Sequence, residues 1–128
     1  MPSSKKGNQN KENFRIGRDF EELAAQFFLD RNYLILNRNY RAGHKEIDLI
    51  VQKGDVVAFV EVKSVKSKSL GHPVERVTRR KISNLTKAAQ QFLIENDITG
   101  ADLRFDVVTF VNGKIEHFPA AFPAAEED

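Results

Sequence analysis

One segment of the chain restricts its fold more than any other: residues 56–63, VVAFVEVK, are almost continuously apolar and rich in β-branched side chains. A strand of this composition is typically buried on both faces, as in sheets that are covered by helices. The preceding segment, residues 46–51, alternates between polar and apolar residues, and Lys53-Gly54-Asp55 between the two is typical of a hairpin loop. The sequence therefore predicts a hairpin whose second strand is fully buried.

Helical periodicity occurs on both sides of this hairpin. Apolar residues at positions 20, 23, 24, 27 and 28 repeat at the spacing of one helix face and predict a helix over about residues 16–31. A second apolar stripe follows Pro73, a residue favoured at the first position of a helix, and predicts a helix over about residues 73–96.

Three further strands complete the predicted sheet. Short apolar or alternating runs place them at residues 33–36, 103–111 and 114–118. The Asn112-Gly113 pair between the last two strands is a strong signal for a type I′ hairpin turn. The order α-β-β-β-α-β-β predicts the α/β class, with a mixed β-sheet flanked by helices.

The length of 128 residues leaves room for one domain. We place this domain at residues 14–122, between a polar tail at residues 1–13 and an acidic tail at residues 123–128. No internal repeat or linker divides the predicted domain.

Composition excludes several classes of protein. The absence of cysteine excludes a disulfide scaffold, a catalytic thiol and any zinc site with cysteine ligands. No apolar run is long enough to span a membrane, and the first residues contain no hydrophobic signal-peptide segment, so we expect a cytoplasmic protein that has no membrane partner. The motifs of phosphate-binding loops, dinucleotide-binding enzymes and serine hydrolases are also absent.

Two of the predicted strands carry charges where apolar residues are expected. Asp48 interrupts one strand, and Glu61 and Lys63 stand two residues apart on the next, so that they share a face. The hairpin can bring Asp48 near Glu61, and two carboxylates beside an ammonium group suit a hard cation such as Mg²⁺. The alternative is a structural ion pair of Lys63 with one of the carboxylates.

Each predicted helix carries one charged residue close to its apolar face. Glu21 lies at the border of the apolar face of the first helix, from which it can reach a site between helix and sheet or remain an ordinary flanking residue. Lys81 lies within the apolar stripe of the second helix. Its ammonium group must either extend to solvent or meet an anion.

Basic residues are concentrated in one part of the chain. Residues 63–81 contain seven basic residues and one acidic residue, a net charge of +6, although the whole chain carries only +2. A basic surface beside a carboxylate site suits a polyphosphate substrate, whereas the alternative is a solvated helix face. The candidates for contacts with nucleic acid are Arg41, Lys66, Lys68, Arg79, Arg80 and Lys81.

Seven sequence blocks, in this order, resemble the YraN family of small bacterial proteins over about residues 14–122. The blocks are Gly17…Glu21…Ala24, Asn37-Arg38-Asn39-Tyr40-Arg41, Glu46-Ile47-Asp48-Leu49-Ile50, Phe59-Val60-Glu61-Val62-Lys63, Lys81…Leu85…Ala88-Ala89, Arg104-Phe105-Asp106-Val107-Val108 and Ala121-Phe122. That family is similar in turn to Holliday-junction resolvases of the PD-(D/E)xK nuclease superfamily. The resemblance implies a restriction-endonuclease-like fold and a metal-dependent phosphodiesterase site.

The resemblance also implies a role for individual residues. Asp48, Glu61 and Lys63 would be the catalytic motif residues, and Glu21 would be the acid contributed by the first helix. Asp48, Glu61, the Val62 carbonyl and Glu21 would hold Mg²⁺ or Mn²⁺. The implied substrate is DNA, with branched DNA as one candidate, and a resolvase would need a homodimer to cut two strands.

A second interpretation is a catalytically inactive module that binds nucleic acid and retains the same fold. We expect glycines in this family at the positions of Phe20 and Lys45, and their replacement favours this alternative weakly. The intact set of Asp48, Glu61 and Lys63 favours the nuclease. A third, more remote interpretation is an interaction protein whose carboxylates only pair with lysines.

Overall fold

A computed structural model describes residues 20–65 and 77–126. The first described residues, 20–30, belong to helix α1. The following elements are β1 (Leu34–Ala42), β2 (Lys45–Lys53), β3 (Val56–Val65), α2 (Arg79–Glu95), β4 (Asp102–Val111) and β5 (Lys114–Phe122). This order confirms the predicted succession of helices and strands. The predicted tail at residues 1–13 and the first residues of the predicted second helix, 73–76, lie outside the described residues.

The strands form a mixed five-stranded sheet in the order β1-β2-β3-β4-β5. Neighbouring strands are antiparallel except β3 and β4, which run parallel and are connected through α2. Asn112 and Gly113 have φ values of 51° and 78°. Two consecutive residues with positive φ are what a type I′ turn requires, so the predicted turn between β4 and β5 is confirmed.

Strand β3 lies in the middle of the sheet and is covered on both faces, as predicted. Its residues Val57, Ala58, Phe59 and Val60 are at most 2% exposed. Val57 and Phe59 pack with Leu85, Ala88, Ala89 and Phe92 of α2. Ala58 and Val60 pack on the other face with Ala24, Ala25 and Phe28 of α1.

Helix α2 begins later than its apolar stripe predicted. Val77 and Thr78 are not helical, and Thr78 has the extended conformation of an N-cap, with φ −73° and ψ 161°. Its Oγ1 accepts a hydrogen bond from the Lys81 N–H at 3.1 Å. A threonine that satisfies a free main-chain donor favours a helix start at that point, so the predicted helical conformation of residues 77 and 78 is wrong.

Both edge strands are longer than predicted. Strand β1 continues through the polar residues 37–41, because pairing with β2 satisfies main-chain groups and several of these side chains are exposed to solvent. Strand β5 continues to Phe122. Beyond it the Ala125 N–H donates to Thr86 Oγ1 at 2.9 Å, which joins the chain after β5 to α2.

A buried carboxylate that the sequence analysis did not single out lies on β4. Asp106 is fully buried and accepts hydrogen bonds from Arg104, from His117 Nε2 at 2.7 Å and from the Ala120 N–H at 3.0 Å. Arg104 also donates to Tyr33 Oη at 2.9 Å. Burial alone would raise the pKa of Asp106, but these hydrogen bonds outweigh it and hold the pKa below its ordinary value. The network fixes β4 to β5 and to the chain before β1.

Neither described helix combines the length and the apolar composition that crossing a bilayer requires.

Candidate active site

The pairing of β2 with β3 ends beside the predicted site. The last paired residues are Leu49 and Val60. Beyond them the Val62 N–H donates to Asp48 Oδ2 at 2.8 Å. A side chain thus accepts the hydrogen bond where the ladder of main-chain bonds stops. Asp48 is thereby held against β3, next to the position of Glu61.

The alternation of side chains along β2 is interrupted around Asp48. Leu49 and Val51 pack on the face covered by α1. Ile47 and Ile50, although three residues apart, both pack on the face covered by α2. Strict alternation would place them on opposite faces. This irregularity leaves Asp48 outside both apolar clusters, beside the point where the pairing of β2 with β3 ends.

Asp48 has an unusual electrostatic environment. Its pKa is raised to about 7, chiefly by burial and further by the carboxylates of Glu61, Glu21 and Glu46, while the Val62 N–H opposes the rise. A carboxyl group whose pKa departs this far from its ordinary value is a candidate for a functional site. The structure thus brings three of the predicted acids, Glu21, Asp48 and Glu61, into electrostatic contact.

Glu61 is neutralised from α2 rather than from its own strand. Lys81 Nζ lies 3.3 Å from Glu61 Oε1, so the lysine in the apolar stripe of α2 does meet an anion. Lys63 is half-buried and shares the face of β3 with Glu61, because residues two apart on a strand point the same way. Within residues 20–65 and 77–126, Lys63 forms no ion pair.

A pocket of about 110 Å³ opens beside Asp48, between α1 and the sheet. Its lining residues are Glu21, Glu22, Arg38, Asn39, Asp48, Leu49 and Val62. Glu22 and Arg38 form an ion pair that joins α1 to β1. The role of these two residues was not predicted from the sequence, because Glu22 lies outside the apolar stripe of the first helix, on a side expected to face solvent. Glu22 is indeed exposed, and only the folding of β1 beside α1 reveals its partner.

The donor atoms at this site suit a hard cation. Asp48 and Glu61 offer carboxylate oxygens, the ligands that Mg²⁺ prefers, and after burial the nearby carboxylates are the next contribution to the raised pKa of Asp48. In the part of the chain that the structure describes, no group of three or more Asp, Glu or His side chains is arranged to hold a metal ion. A site here would therefore need a main-chain oxygen, such as the predicted Val62 carbonyl, or water as further ligands.

The predicted nucleic-acid contacts have different surroundings. Arg79 and Arg80 are exposed in the first turn of α2, which contains no acidic residue. Helices usually carry acids there, because the N-terminus is the positive end of the helix dipole. Arg41 is exposed, and its Nη2 lies 3.5 Å from Glu46 Oε2. Lys66 and Lys68 lie outside the described residues.

The mixed five-stranded sheet with a helix packed on each face gives the class of the protein. It is an α/β protein with the arrangement of a restriction-endonuclease-like fold, as predicted. Residues 20–110 match the model of a family described as "Uncharacterised protein family UPF0102". The chain belongs to the UPF0102 family, which includes the YraN proteins, and the predicted family resemblance is confirmed.

Individual relatives match over most of the chain. The protein is 48% identical over 99 residues to a UPF0102 protein of Chloroherpeton thalassium, and the alignment covers 77% of each chain. It is 39% identical over 106 residues to a UPF0102 protein of a Sulfurihydrogenibium species, covering 83% of this chain and 92% of the relative. A UPF0102 protein of Syntrophomonas wolfei is 41% identical over 114 residues, covering 86% and 99%. These relatives share the size of this chain as well as its sequence.

Proposed function

We propose that this protein is a cytoplasmic, Mg²⁺-dependent endonuclease that binds DNA and hydrolyses its phosphodiester bonds. The observation that carries the proposal is the placement of Asp48 and Glu61 at the point where the pairing of β2 and β3 ends. Two carboxyl groups on adjacent strands that interact electrostatically are suited to a hard cation. The raised pKa of Asp48 at a solvent-accessible pocket supports the proposal, because perturbed carboxyl groups cluster at functional sites.

Each residue of the site has a role in this proposal. Asp48 and Glu61, with the Val62 carbonyl and Glu21, would hold the cation. A bound Mg²⁺ supplies Lewis-acid chemistry, in that it makes a water molecule more acidic and neutralises negative charge on a phosphate. Lys63 donates hydrogen bonds to the attacking water or to the phosphate oxygen on which negative charge develops.

The DNA is held by the basic residues around the first turn of α2. Arg79 and Arg80 are exposed there, and Lys81 reaches the carboxylate site itself. Cations beside a metal site attract the phosphate backbone without regard to base sequence. Arg41, Lys66 and Lys68 extend this surface in the proposal, and branched DNA is the substrate to test first.

A cleavage assay tests the proposal. Purified protein is incubated with branched, duplex and single-stranded DNA in the presence of Mg²⁺, Mn²⁺ or EDTA. We expect metal-dependent cleavage by the wild type and none by Glu61→Gln, which removes one carboxylate charge and preserves the shape of the side chain. Asp55→Asn is the matched control, because Asp55 is exposed in the turn between β2 and β3.

Three outcomes are informative. Cleavage by the wild type and by Asp55→Asn, but not by Glu61→Gln, supports the nuclease. Salt-dependent DNA binding without cleavage under any metal condition favours the catalytically inactive nucleic-acid-binding module instead. If the protein neither cleaves nor binds DNA, both interpretations are contradicted and the interaction protein remains.

A further inference from the structure

The ion pair between β3 and α2 joins a buried group to an exposed one. Glu61 is only 12% exposed, whereas Lys81, whose Nζ lies 3.3 Å from Glu61 Oε1, is 45% exposed. The carboxylate is therefore largely enclosed by the protein, and the ammonium group reaches it from the solvent side. The two members of the pair differ in how easily they can move.

Several features make this contact easy to break. It is a single N–O contact at 3.3 Å, longer than the 2.7–2.9 Å typical of a charge-assisted hydrogen bond. Ion pairs with an exposed partner stabilise a protein little, since water can replace either member. The lysine side chain is long and flexible and carries its charge at its tip, so its ammonium group can withdraw without any change in the main chain.

The main chain at Lys81 is held independently of its side chain. The Lys81 N–H donates to Thr78 Oγ1 at 3.1 Å, and this hydrogen bond is the N-cap of α2. Release of the ammonium group from Glu61 therefore leaves the start of the helix in place. The helix can keep Lys81 beside the site while its side chain changes partner.

We propose that Lys81 is a removable counter-ion that keeps Glu61 neutralised until a divalent cation binds. When Asp48 and Glu61 bind the cation, the ammonium group is repelled by it, leaves Glu61 and becomes available to a phosphate oxygen of the substrate. This inference rests on the proposed function, because it requires a cation at the two carboxylates. It places cation binding before the contact of Lys81 with substrate.

The first test is the affinity for Mn²⁺, measured by calorimetry on the metal-free protein. Lys81→Met removes the competing ammonium group and preserves the length of the side chain, so Mn²⁺ should bind about fivefold more tightly, the factor that corresponds to losing one weak ion pair. Lys87→Met is the matched control, because Lys87 is an exposed lysine farther along α2. It should leave the affinity unchanged. Equal or weaker binding by Lys81→Met overturns the inference.

The second test detects the release directly in the wild type. Lysines are acetylated with a limiting amount of an activated ester, and mass spectrometry compares the rate at Lys81 with the rate at Lys87. Saturation with Mn²⁺ should raise the rate at Lys81 relative to Lys87, because the free ammonium group is more accessible to the reagent. An unchanged or lower relative rate overturns the inference.

The two proposals can fail separately. Absence of Mn²⁺ binding by the wild type, Lys81→Met and Lys87→Met overturns the proposed function and this inference together. Mn²⁺ binding that depends on Asp48 but is identical in Lys81→Met, without a change in labelling at Lys81, overturns the inference and leaves the proposed metal site intact.

Discussion

Asp48 accepts a hydrogen bond from the main-chain N–H of Val62 through Oδ2 at a distance of 2.8 Å, just beyond Leu49 and Val60, the last pair of the β2–β3 ladder. The hydrogen bond makes the orientation of the carboxylate a consequence of strand pairing rather than of a flexible loop. It also places the Asp48 side chain beside Glu61, the neighbour of Val62 on β3. A site built in this way is positioned by the rigid centre of the sheet.

The raised pKa of Asp48 predicts how the stability of the metal-free protein depends on pH. Its folded-state pKa of about 7 lies above the ordinary value of about 4, so the native state binds the proton more tightly than the unfolded state. The free energy of unfolding should therefore fall as pH rises from about 4 to about 7. Asp48→Asn removes this loss and should be more stable than the wild type at pH 8, by about 2 kcal/mol once partial solvent exposure is taken into account.

Urea unfolding in EDTA at pH 5 and pH 8 measures this effect. The stability difference between Asp48→Asn and the wild type should be larger at pH 8 than at pH 5. Asp55→Asn, in the exposed turn, should show the same difference from the wild type at both pH values. A difference for Asp48→Asn that is equal at both pH values would mean that Asp48 ionises normally in the folded protein.

The sequence predicted the order of the elements better than their ends. The apolar run of β3 and the Asn112-Gly113 turn were recognisable because buried strands and type I′ turns impose strong local requirements. The start of α2 was not recognisable in the sequence. The apolar stripe extends to both sides of Thr78 and does not indicate where the N-cap forms. Strand β1 was predicted too short because its polar residues are stabilised by pairing with β2, a contact between separate elements.

The candidate site, too, was predictable from the sequence only in part. The apolar surroundings of Asp48 and Glu61 made both residues conspicuous in the sequence. The partner of Glu61 was not predictable, since Lys63 is nearer in sequence while Lys81 reaches it from another element. Asp106 was missed among the apolar residues of β4, although the same reasoning about buried charges applies to it, because its partners Arg104 and His117 also come together only in the folded sheet.

DNA binding should depend on the first turn of α2. Reversing the charge of both Arg79 and Arg80 to Glu should weaken binding about tenfold or more at low salt and reduce the slope of affinity against salt, because contacts with phosphates are lost. The first turn contains no acidic residue, so glutamates there should favour the helix, and a loss of binding will not reflect unfolding.

Fluorescence anisotropy with labelled duplexes of two unrelated sequences measures this binding at several salt concentrations. Lys87→Glu, at an exposed position farther along the same helix, controls for a charge reversal outside the first turn. If the Arg79→Glu, Arg80→Glu double variant binds like Lys87→Glu, the first turn of α2 does not face the nucleic acid.

Asp106 should stabilise the fold rather than act in the site. Asp106→Asn removes the charge that Arg104 and His117 share, and breaking a buried pair in this way costs about 3–5 kcal/mol. The pKa of Asp106 is lowered, so its contribution is present at neutral pH and is lost as pH falls through that lowered pKa, below about 4. Thermal unfolding at pH 7 should therefore show a large loss for Asp106→Asn and almost none for Asp102→Asn, an exposed position on the same strand.

The effect of replacing Lys63 distinguishes a nuclease from a protein that only retains the fold. The structural alternative was an ion pair of Lys63 with Glu61 or Asp48, but Glu61 pairs with Lys81, and Lys63 has no ion pair among the described residues. Lys63→Met should therefore change the free energy of unfolding by less than about 1 kcal/mol. Under the proposed function it should nevertheless abolish cleavage of DNA, because the group proposed to assist the attack on phosphorus is lost.

Thermal unfolding with and without Mg²⁺, beside the cleavage assay, measures both effects. Mg²⁺ should raise the melting temperature of the wild type and of Lys63→Met, since a ligand that binds only the folded state stabilises it and the carboxylates remain. Lys114→Met, an exposed lysine on β5, should retain both cleavage and stability. If Lys63→Met instead loses about 3–5 kcal/mol and Mg²⁺ leaves the wild type unchanged, Lys63 neutralises a buried carboxylate and the site is structural.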